Sequence, residues 1–272
     1  METWEQFKER YIGVYQPLAN QFLGKISNTD VSGITEPFLP VACVNYPSAS
    51  CRIVFAGMET RGYGDMINFV EHAKQSTAEA LFRSQGEVDD FDFLGWTNNF
   101  GTSFWDFVLK FLAGFHGVEN WKDLKRGQRP DILSSFGWAN LNALERYEVT
   151  AQKRGAKWED WNVVKQASQI FDSGEHVIRA FAPNLLVVVN WTEGESWLTT
   201  HRAVAERTEI FDHLLYLRLQ PCGTHVIWTA HPRWLGFRDF DGYVARCVEL
   251  AKEKISITGG APEKPNLDVK NV

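Results

Sequence analysis

The chain has 272 residues, 44% of them hydrophobic and 14% aromatic, which is enough to bury the core of one large domain. Its net charge of -6 argues against a protein that holds nucleic acid mainly through bulk positive charge, although a local basic groove at Lys122–Arg129 or Lys153–Lys157 stays open. Charged residues at the start of the chain and the lack of a long apolar run argue against a signal peptide and a membrane span, so a cytoplasmic protein is expected.

The first predicted element is an amphipathic helix. Apolar residues recur at helical spacing from Trp4 to Phe22, and Thr3 and Gln6 are placed as a capping box. Pro17 lies inside this stretch, where its missing backbone N–H predicts a bend. The helix is therefore expected to cover one face of the core.

A strand, a loop and a helix are predicted next, after a proline-containing loop. Arg52–Ala56 is a run typical of a short buried strand, and Gly57 ends it. Glycines then punctuate the segment 57–65, which predicts a loop, and a helix is predicted over 66–83 with Asp65 as its N-cap. The loop between strand and helix is expected to carry chemistry.

The rest of the chain alternates between strands and helices, which predicts a parallel sheet in an α/β sandwich. The predicted elements are an aromatic-rich helix from Ser103, strands at 136–142 and 184–191, a helix at 196–211, a strand at 214–219, a strand from Thr224 and a helix at 243–254. The strand at 214–219 is expected at the sheet edge or beside the last strand. Residues 1–257 are expected to form a single domain, and 258–272 a disordered tail.

The last predicted strand ends at a histidine and a proline. Alternating β-branched and aromatic residues between Thr224 and Thr229 favour a strand, and Pro232 ends it because proline lacks the ladder donor. His231 would then lie at the carboxyl end of a strand, where open α/β sheets bind their ligands. A structural strand that merely ends in His-Pro fits the same pattern.

Two motifs in the chain resemble the uracil-DNA glycosylase superfamily. The run from Thr224 to Pro232 is similar to the superfamily's strand that ends in a His-Pro-Ser-Pro-Leu loop, and Gly57–Gly62 stands where the superfamily carries Gly-Gln-Asp-Pro-Tyr or Gly-Met-Asn-Pro-Gly. The strand before Asn140 resembles the superfamily's middle strand, and the strand at 187–191 resembles the next one. The resemblance implies a three-layer α/β/α sandwich with a central, mainly parallel four-stranded sheet.

The resemblance also implies hydrolysis of an N-glycosidic bond, without a metal or another cofactor. Glu59 would position and deprotonate the attacking water and stabilise the oxocarbenium-like sugar, and His231 would donate a hydrogen bond to the leaving base. Asn140 carries an amide suited to read a flipped pyrimidine, with Asn142 as the alternative. Glu59 as a surface loop acid and Asn140 as a turn residue are the ordinary explanations.

Further positions in and near the motifs would line the base pocket. Met58 and Arg61 flank Glu59 and would contact the base. Phe100 resembles the superfamily's stacking phenylalanine, and Trp96 competes with it for this role. Both aromatic residues could instead belong to the core.

The implied partner is duplex DNA with one flipped nucleotide. Arg233 would bind a phosphate, while Trp234 and Leu235 would fill the gap that the flipped nucleotide leaves. The protein is expected to act as a monomer and to bind no membrane.

Departures from the superfamily's motifs bear on the choice of base. Glu59 replaces the usual Asp or Asn, and Thr60 and Arg61 replace the Pro-Tyr that blocks groups on the 5-position of the base in uracil-specific members. With Gly62 and Gly64 nearby, the pocket is expected to be open to a large polar 5-substituent, as in the glucosylated 5-hydroxymethylcytosines of some bacterial viruses. The chain thus resembles the superfamily's antiviral members.

Three other functions fit the same sequence. Repair of uracil or of damaged bases is possible if Tyr63 supplies the missing barrier. A module that binds a modified base without cutting it, and a nucleosidase-type hydrolase of small molecules, are the alternatives from other classes. Metal chemistry finds no support, because the four cysteines have no Cys-x-x-Cys spacing and are expected to be free thiols.

Overall fold

The computed structural model of the chain describes residues 2–31, 34–58, 65–74, 103–144, 160–190, 196–199, 203–211, 213–231 and 239–257. These ranges contain helices and strands in mixed order, and the strands form one sheet whose central strands are parallel, which confirms the predicted α/β class. The helices are α1 (Trp4–Ile26), α2 (Met66–Lys74), α3 (Ser103–His116), α4 (Trp121–Lys125), α5 (Pro130–Leu133), α6 (Asp160–Phe171), α7 (Gly174–Phe181), α8 (Ser196–Thr199) and α9 (Phe240–Ile257). The strands are β1 (Val41–Ala42), β2 (Ile53–Gly57), β3 (Phe136–Asn140), β4 (Leu185–Val189), β5 (Ala203–Phe211), β6 (Leu214–Gln220) and β7 (His225–Thr229).

All the described strands belong to one mixed sheet, in the order β1-β3-β2-β4-β7-β6-β5. The four neighbours β3, β2, β4 and β7 are parallel to one another. Strand β1 pairs antiparallel with β3, and β6 and β5 extend the other side as antiparallel neighbours of β7. The sheet therefore has seven strands, so the four-stranded sheet expected from the resemblance was too small.

Apolar side chains cover both faces of the sheet, because successive residues of a strand point to opposite sides. In β2, Val54 and Ala56 pack into a core cluster with α1, α2, α6 and α7. Ile53 and Phe55 pack into a second cluster with α3, α4, α5 and α9. Strands buried on both faces need the near-continuous apolar runs by which β2 and β4 were predicted.

Helix α1 forms as the sequence predicts, and its capping box is present: the Gln6 backbone N–H donates to Thr3 Oγ1, and the Thr3 N–H donates to Gln6 Oε1. The helix continues past Pro17 to Ile26. Arg10 ties it to the end of α7, since its Nε donates to the carbonyl oxygen of Ala180 at 2.9 Å. No helix in the described ranges combines the length and the apolar character needed to cross a bilayer.

The helix predicted over 196–211 is wrong. Only Ser196–Thr199 is helical, and Ala203–Phe211 forms strand β5. The adjacent β6 offers backbone partners along most of β5, for example Thr208 opposite Tyr216, and β-branched residues such as Val204 suit a strand. Pairing with the next segment therefore outweighed the helical pattern.

The other predicted elements are found close to their expected positions. The strand predicted at 214–219 lies beside β7, and the closing helix is longer than predicted, at Phe240–Ile257. Asp65 caps α2 by accepting a hydrogen bond from the Ile67 N–H at 2.9 Å. The second half of the predicted helix 66–83 and the predicted tail 258–272 lie outside the described residues.

Candidate active site

The carboxyl ends of the four parallel strands meet at one edge of the sheet. Strand β2 ends at Gly57, which lies opposite Asn140 at the end of β3. Strand β4 is followed directly by Asn190, and Thr229 at the end of β7 is followed after one residue by His231. In open α/β sheets this edge is where ligands bind. The fold thus brings the predicted Asn140 and His231 to a common edge and adds Asn190, which was not predicted.

Gly57 leaves room that two neighbouring side chains occupy. A Cβ atom on Gly57 would lie 3.3 Å from Asn140 Oδ1 and 3.2 Å from Phe104 Cε2, closer than ordinary van der Waals contact. The amide oxygen and the edge of the aromatic ring therefore converge on the backbone of β2. Phe104, in the predicted aromatic-rich helix, is only half-buried and lies beside the predicted base-reading residue.

The loop after β3 is held against the end of β2. The Leu141 N–H donates to the carbonyl oxygen of Gly57 at 2.8 Å, and the Asn142 N–H donates to that of Met58 at 2.9 Å. Asn140 is 8% exposed, whereas Met58 and Asn142 are half-buried. These bonds fix the position of Asn140 relative to Met58, the residue that directly precedes Glu59.

The backbone before His231 is fixed by the last helix. The Ala230 N–H donates to Tyr243 Oη at 3.0 Å, and Tyr243 Oη donates to the carbonyl oxygen of His213 at 3.1 Å. Tyr243 is a residue of α9 and is buried. His231 is half-buried and directly follows Ala230, the residue that this hydrogen bond holds. No signal in the sequence links Tyr243 to the strand end, because the two lie on different elements.

A buried carboxyl group that sequence analysis did not single out lies near the same edge. Glu36 is only 5% exposed. Burial raises the pKa of its carboxyl from 4.5 to about 7, and the negative charge of Asp65 adds to this rise. The signal available in the sequence is an acid within the mostly apolar, proline-containing run Ile34–Pro40.

Asn190 is the second polar residue at this edge that was missed. Its side chain is 3% exposed, and its Nδ2 has no hydrogen-bond partner among the described residues. An unsatisfied buried amide costs free energy, so such groups are uncommon in folded proteins. Sequence analysis placed Asn190 only within the predicted strand 184–191.

Several predicted site residues lie outside the described residues, so their placement stays a prediction. They are Glu59, Arg61, Trp96, Phe100, Arg233, Trp234 and Leu235. Glu59 follows Met58 in the chain, and Arg233 lies two residues after His231.

The basic stretch Lys122–Arg129 is largely neutralised. Three of its cations lie within 4.0 Å of carboxylates, in the pairs Lys125–Asp106, Arg126–Asp123 and Arg129–Asp131. These cations are therefore poorly placed to hold phosphates. The stretch Lys153–Lys157 lies outside the described residues.

The cysteines and the metal-binding side chains offer no second site in the described ranges. All four cysteines are free thiols. Burial raises the pKa of the Cys43, Cys51 and Cys247 thiols to about 12, which disfavours the thiolate that a nucleophile or a metal ligand needs. No group of three or more His, Cys, Asp or Glu side chains that could hold a metal ion occurs among the described residues.

The fold and the edge define an α/β protein with a candidate ligand site at the carboxyl ends of its parallel strands. No protein-family model, curated protein or solved structure matches the chain. The resemblance to the uracil-DNA glycosylase superfamily therefore depends on the two motifs and on the order of the elements that carry them.

Proposed function

We propose that the chain is a cytoplasmic, monofunctional DNA glycosylase that hydrolyses the N-glycosidic bond of a flipped-out modified pyrimidine and leaves an abasic site. The observation that carries the proposal is the meeting of Gly57, Asn140 and His231 at the carboxyl edge of the parallel strands. The four parallel strands, with helices on both faces, correspond to the sandwich that the resemblance implies, and β1, β5 and β6 would be additions at its sides.

The residue types at this edge suit the charges that develop when a base leaves a sugar. The sugar becomes positive and the base negative in the transition state, so a carboxylate near the sugar and a donor near the base both lower the barrier. In the proposal Glu59 activates the water and stabilises the sugar, while His231 donates to the base. The hydrogen bond from the Ala230 N–H to Tyr243 Oη supports this role of His231, because it fixes the residue that precedes His231.

Recognition of the base falls to the groups around Gly57. Asn140 offers an amide donor and acceptor to the base edge, and Gly57, which has no side chain, lets that amide lie close to the end of β2. Phe104 is a further candidate for stacking on the base, besides Phe100 and Trp96, since its ring lies beside Gly57 and Asn140.

The proposed substrate is a cytosine with a bulky polar group at its 5-position, such as a glucosylated 5-hydroxymethylcytosine of viral DNA. The support is the replacement of the superfamily's blocking tyrosine by Arg61, followed by Gly62. Restoring bulk with Gly62→Tyr should abolish release of the glucosylated base and spare any release of uracil. Efficient excision of uracil by the wild type, with glucosylated cytosine left untouched, would favour uracil repair instead.

The decisive experiment incubates the protein with duplexes that carry uracil, damaged pyrimidines or hypermodified cytosines, and then cleaves abasic sites with alkali. Glu59→Gln and His231→Ala should each lower turnover by orders of magnitude while the fold is retained. Glu209→Gln, on the exposed face of β5, is the matched control and should leave turnover unchanged. A broad panel without any strand break would contradict the proposal.

A nucleosidase-type hydrolase of small molecules is the second candidate. The neutralised basic stretch and the net charge of -6 favour it, because duplex DNA is held largely through its phosphates. Replacing Trp234 and Leu235 with alanine separates the two candidates. A glycosylase should lose more activity on duplex than on single strands, since only the duplex needs its gap filled, whereas a nucleosidase should be unaffected. A module that only binds the base would show no turnover at all.

A further inference from the structure

Glu36 lies where the chain crosses the carboxyl edge of the sheet. Strand β1 pairs antiparallel with β3, Val41 opposite Trp138, so the residues before Val41 run alongside β3 and past its carboxyl end. Ile34 packs into the core cluster on one face of the sheet and Phe38 into the cluster on the other. Glu36, midway between them, is therefore placed at the crossing.

Backbone hydrogen bonds fix this crossing between the loops that follow β2 and β3. The Phe38 N–H donates to the carbonyl oxygen of Ala143 at 2.8 Å, and the carbonyl oxygen of Ile34 accepts from the Met66 N–H at 3.0 Å. Ala143 follows β3, and Met66 begins the helix after β2. The segment that carries Glu36 is thus attached to both sides of the edge at which Asn140 lies.

The Glu36 carboxyl is buried without a compensating partner in the described parts of the chain. It is 5% exposed, and neither a hydrogen bond nor an opposite charge from the described residues contributes to its pKa. Asp65 is the described charged group whose field reaches it, and that charge is also negative. The residues around it at 34–38, 66–69 and 141–144 include no other titratable side chain. A carboxyl kept in such a place is unfavourable unless it is neutral or bound to a ligand.

The neutral Glu36 carboxyl has a hydrogen-bonding pattern complementary to one edge of cytosine. A protonated carboxyl offers one O–H donor and one carbonyl acceptor side by side. Cytosine presents an N3 acceptor next to its N4 amino donor, so the two groups can form a pair of hydrogen bonds. An ionised carboxylate accepts only and would face the N3 lone pair of cytosine, whereas it could still accept from the N3–H of uracil.

We infer that Glu36, in its neutral form, reads the N3 and N4 edge of the flipped cytosine, and that its ionised form rejects cytosine-type but not uracil-type bases. This inference rests on the proposed function, because it assumes that a pyrimidine occupies the edge beside Asn140. The rise of the Glu36 pKa to about 7 agrees with it, since half of the acid is then neutral at about pH 7 and most of it about one pH unit lower.

Binding of free bases to the full chain tests the inference without requiring base excision. Calorimetry measures the dissociation constants of 5-hydroxymethylcytosine and 5-hydroxymethyluracil from about pH 5.5 to about pH 8.5. The cytosine base should bind about tenfold more weakly for each pH unit above the pKa of Glu36, while binding of the uracil base should change little. Binding of the cytosine base that is independent of pH would overturn the inference.

Three variants sharpen the test. Glu36→Gln keeps a donor and an acceptor side by side, so it should bind the cytosine base without the pH dependence, whereas Glu36→Leu should bind that base at least about tenfold more weakly. Asp65→Asn still caps α2 but removes the neighbouring charge, so the pH dependence should shift to lower pH. Thermal unfolding of each variant confirms its fold.

The possible outcomes separate this inference from the proposed function. Base binding with the expected pH dependence, but no strand break from any duplex, would reject the glycosylase and retain the role of Glu36. Excision of modified cytosines that neither Glu36→Gln nor Glu36→Leu alters at any pH would reject the role of Glu36 and retain the glycosylase.

Discussion

Replacing Glu36 with glutamine should stabilise the protein in a way that depends on pH. The folded protein holds the pKa of this carboxyl at about 7, against an ordinary value of 4.5. Below pH 4.5 both the folded and the unfolded chain are protonated, and the group contributes no difference. As pH rises from 4.5 to 7 the unfolded chain releases the proton and the folded chain retains it, so stability falls. Above about pH 7 the loss is complete.

The size of the effect follows from the shift in pKa. One pKa unit corresponds to 1.36 kcal/mol, so the rise from 4.5 to about 7 corresponds to about 3 kcal/mol of lost stability at high pH. Glutamine stays neutral throughout and avoids this loss. Glu36→Gln should therefore be more stable than the wild type at about pH 8, by up to about 3 kcal/mol relative to the difference between the two proteins at about pH 4.

Urea unfolding at several pH values measures this difference directly, because the free energy of unfolding is obtained for both proteins under matched conditions. Glu209→Gln is the control, since Glu209 is exposed on β5 and its change should give no comparable pH dependence. Equal stability differences at low and high pH would refute the reasoning, and would mean that the folded protein does not hold Glu36 neutral.

Two further substitutions test the geometry of the edge. Gly57→Ala would place a Cβ atom 3.2 to 3.3 Å from two neighbouring side-chain atoms. Base release should therefore fall at least about tenfold, while the free energy of unfolding drops by about 1 kcal/mol. Gly13→Ala is the control, because Gly13 has open space around it in α1 and its replacement should leave base release unchanged. Tyr243→Phe removes the hydroxyl that accepts a hydrogen bond from the Ala230 N–H, which should misplace the adjacent His231. We expect kcat to fall while KM stays nearly unchanged. A change in KM alone would contradict this positioning role.

The parallel strands could be predicted from the sequence because each is buried on both faces. Leu185–Val189 is a continuous apolar run, and such runs identify a strand without knowledge of its neighbours. The strand Ala203–Phe211 could not be predicted in this way, because its identity depends on pairing with the next segment. Strand β1 has only two residues and exists because β3 lies beside it.

The residues of the candidate site differ in the same way: some are visible in local sequence patterns, and others depend on packing between distant segments. Asn140 and His231 stand at strand ends that are visible in the sequence, and the fold brings both to one edge. Glu36 and Asn190 gain their significance from burial, which arises when distant segments pack around them. The convergence of Phe104 and Asn140 on Gly57 likewise needs three elements to meet. Local patterns do not carry such information.

The chemistry of the edge indicates what kind of ligand it can take. Its buried polar groups in the described residues include the amides of Asn140 and Asn190 and the Glu36 carboxyl, half of which is neutral at about pH 7. Such groups match an uncharged heteroaromatic base, which has donors and acceptors around its rim, better than a phosphate, whose charge calls for a cation or for several aligned N–H donors. Lys125, Arg126 and Arg129 are paired with carboxylates, so each would have to give up an ion pair in order to bind a phosphate. A DNA-bound form would therefore have to draw its phosphate contacts from other segments, such as the one that carries Arg233. Its affinity should then depend only weakly on salt, because few phosphates are neutralised.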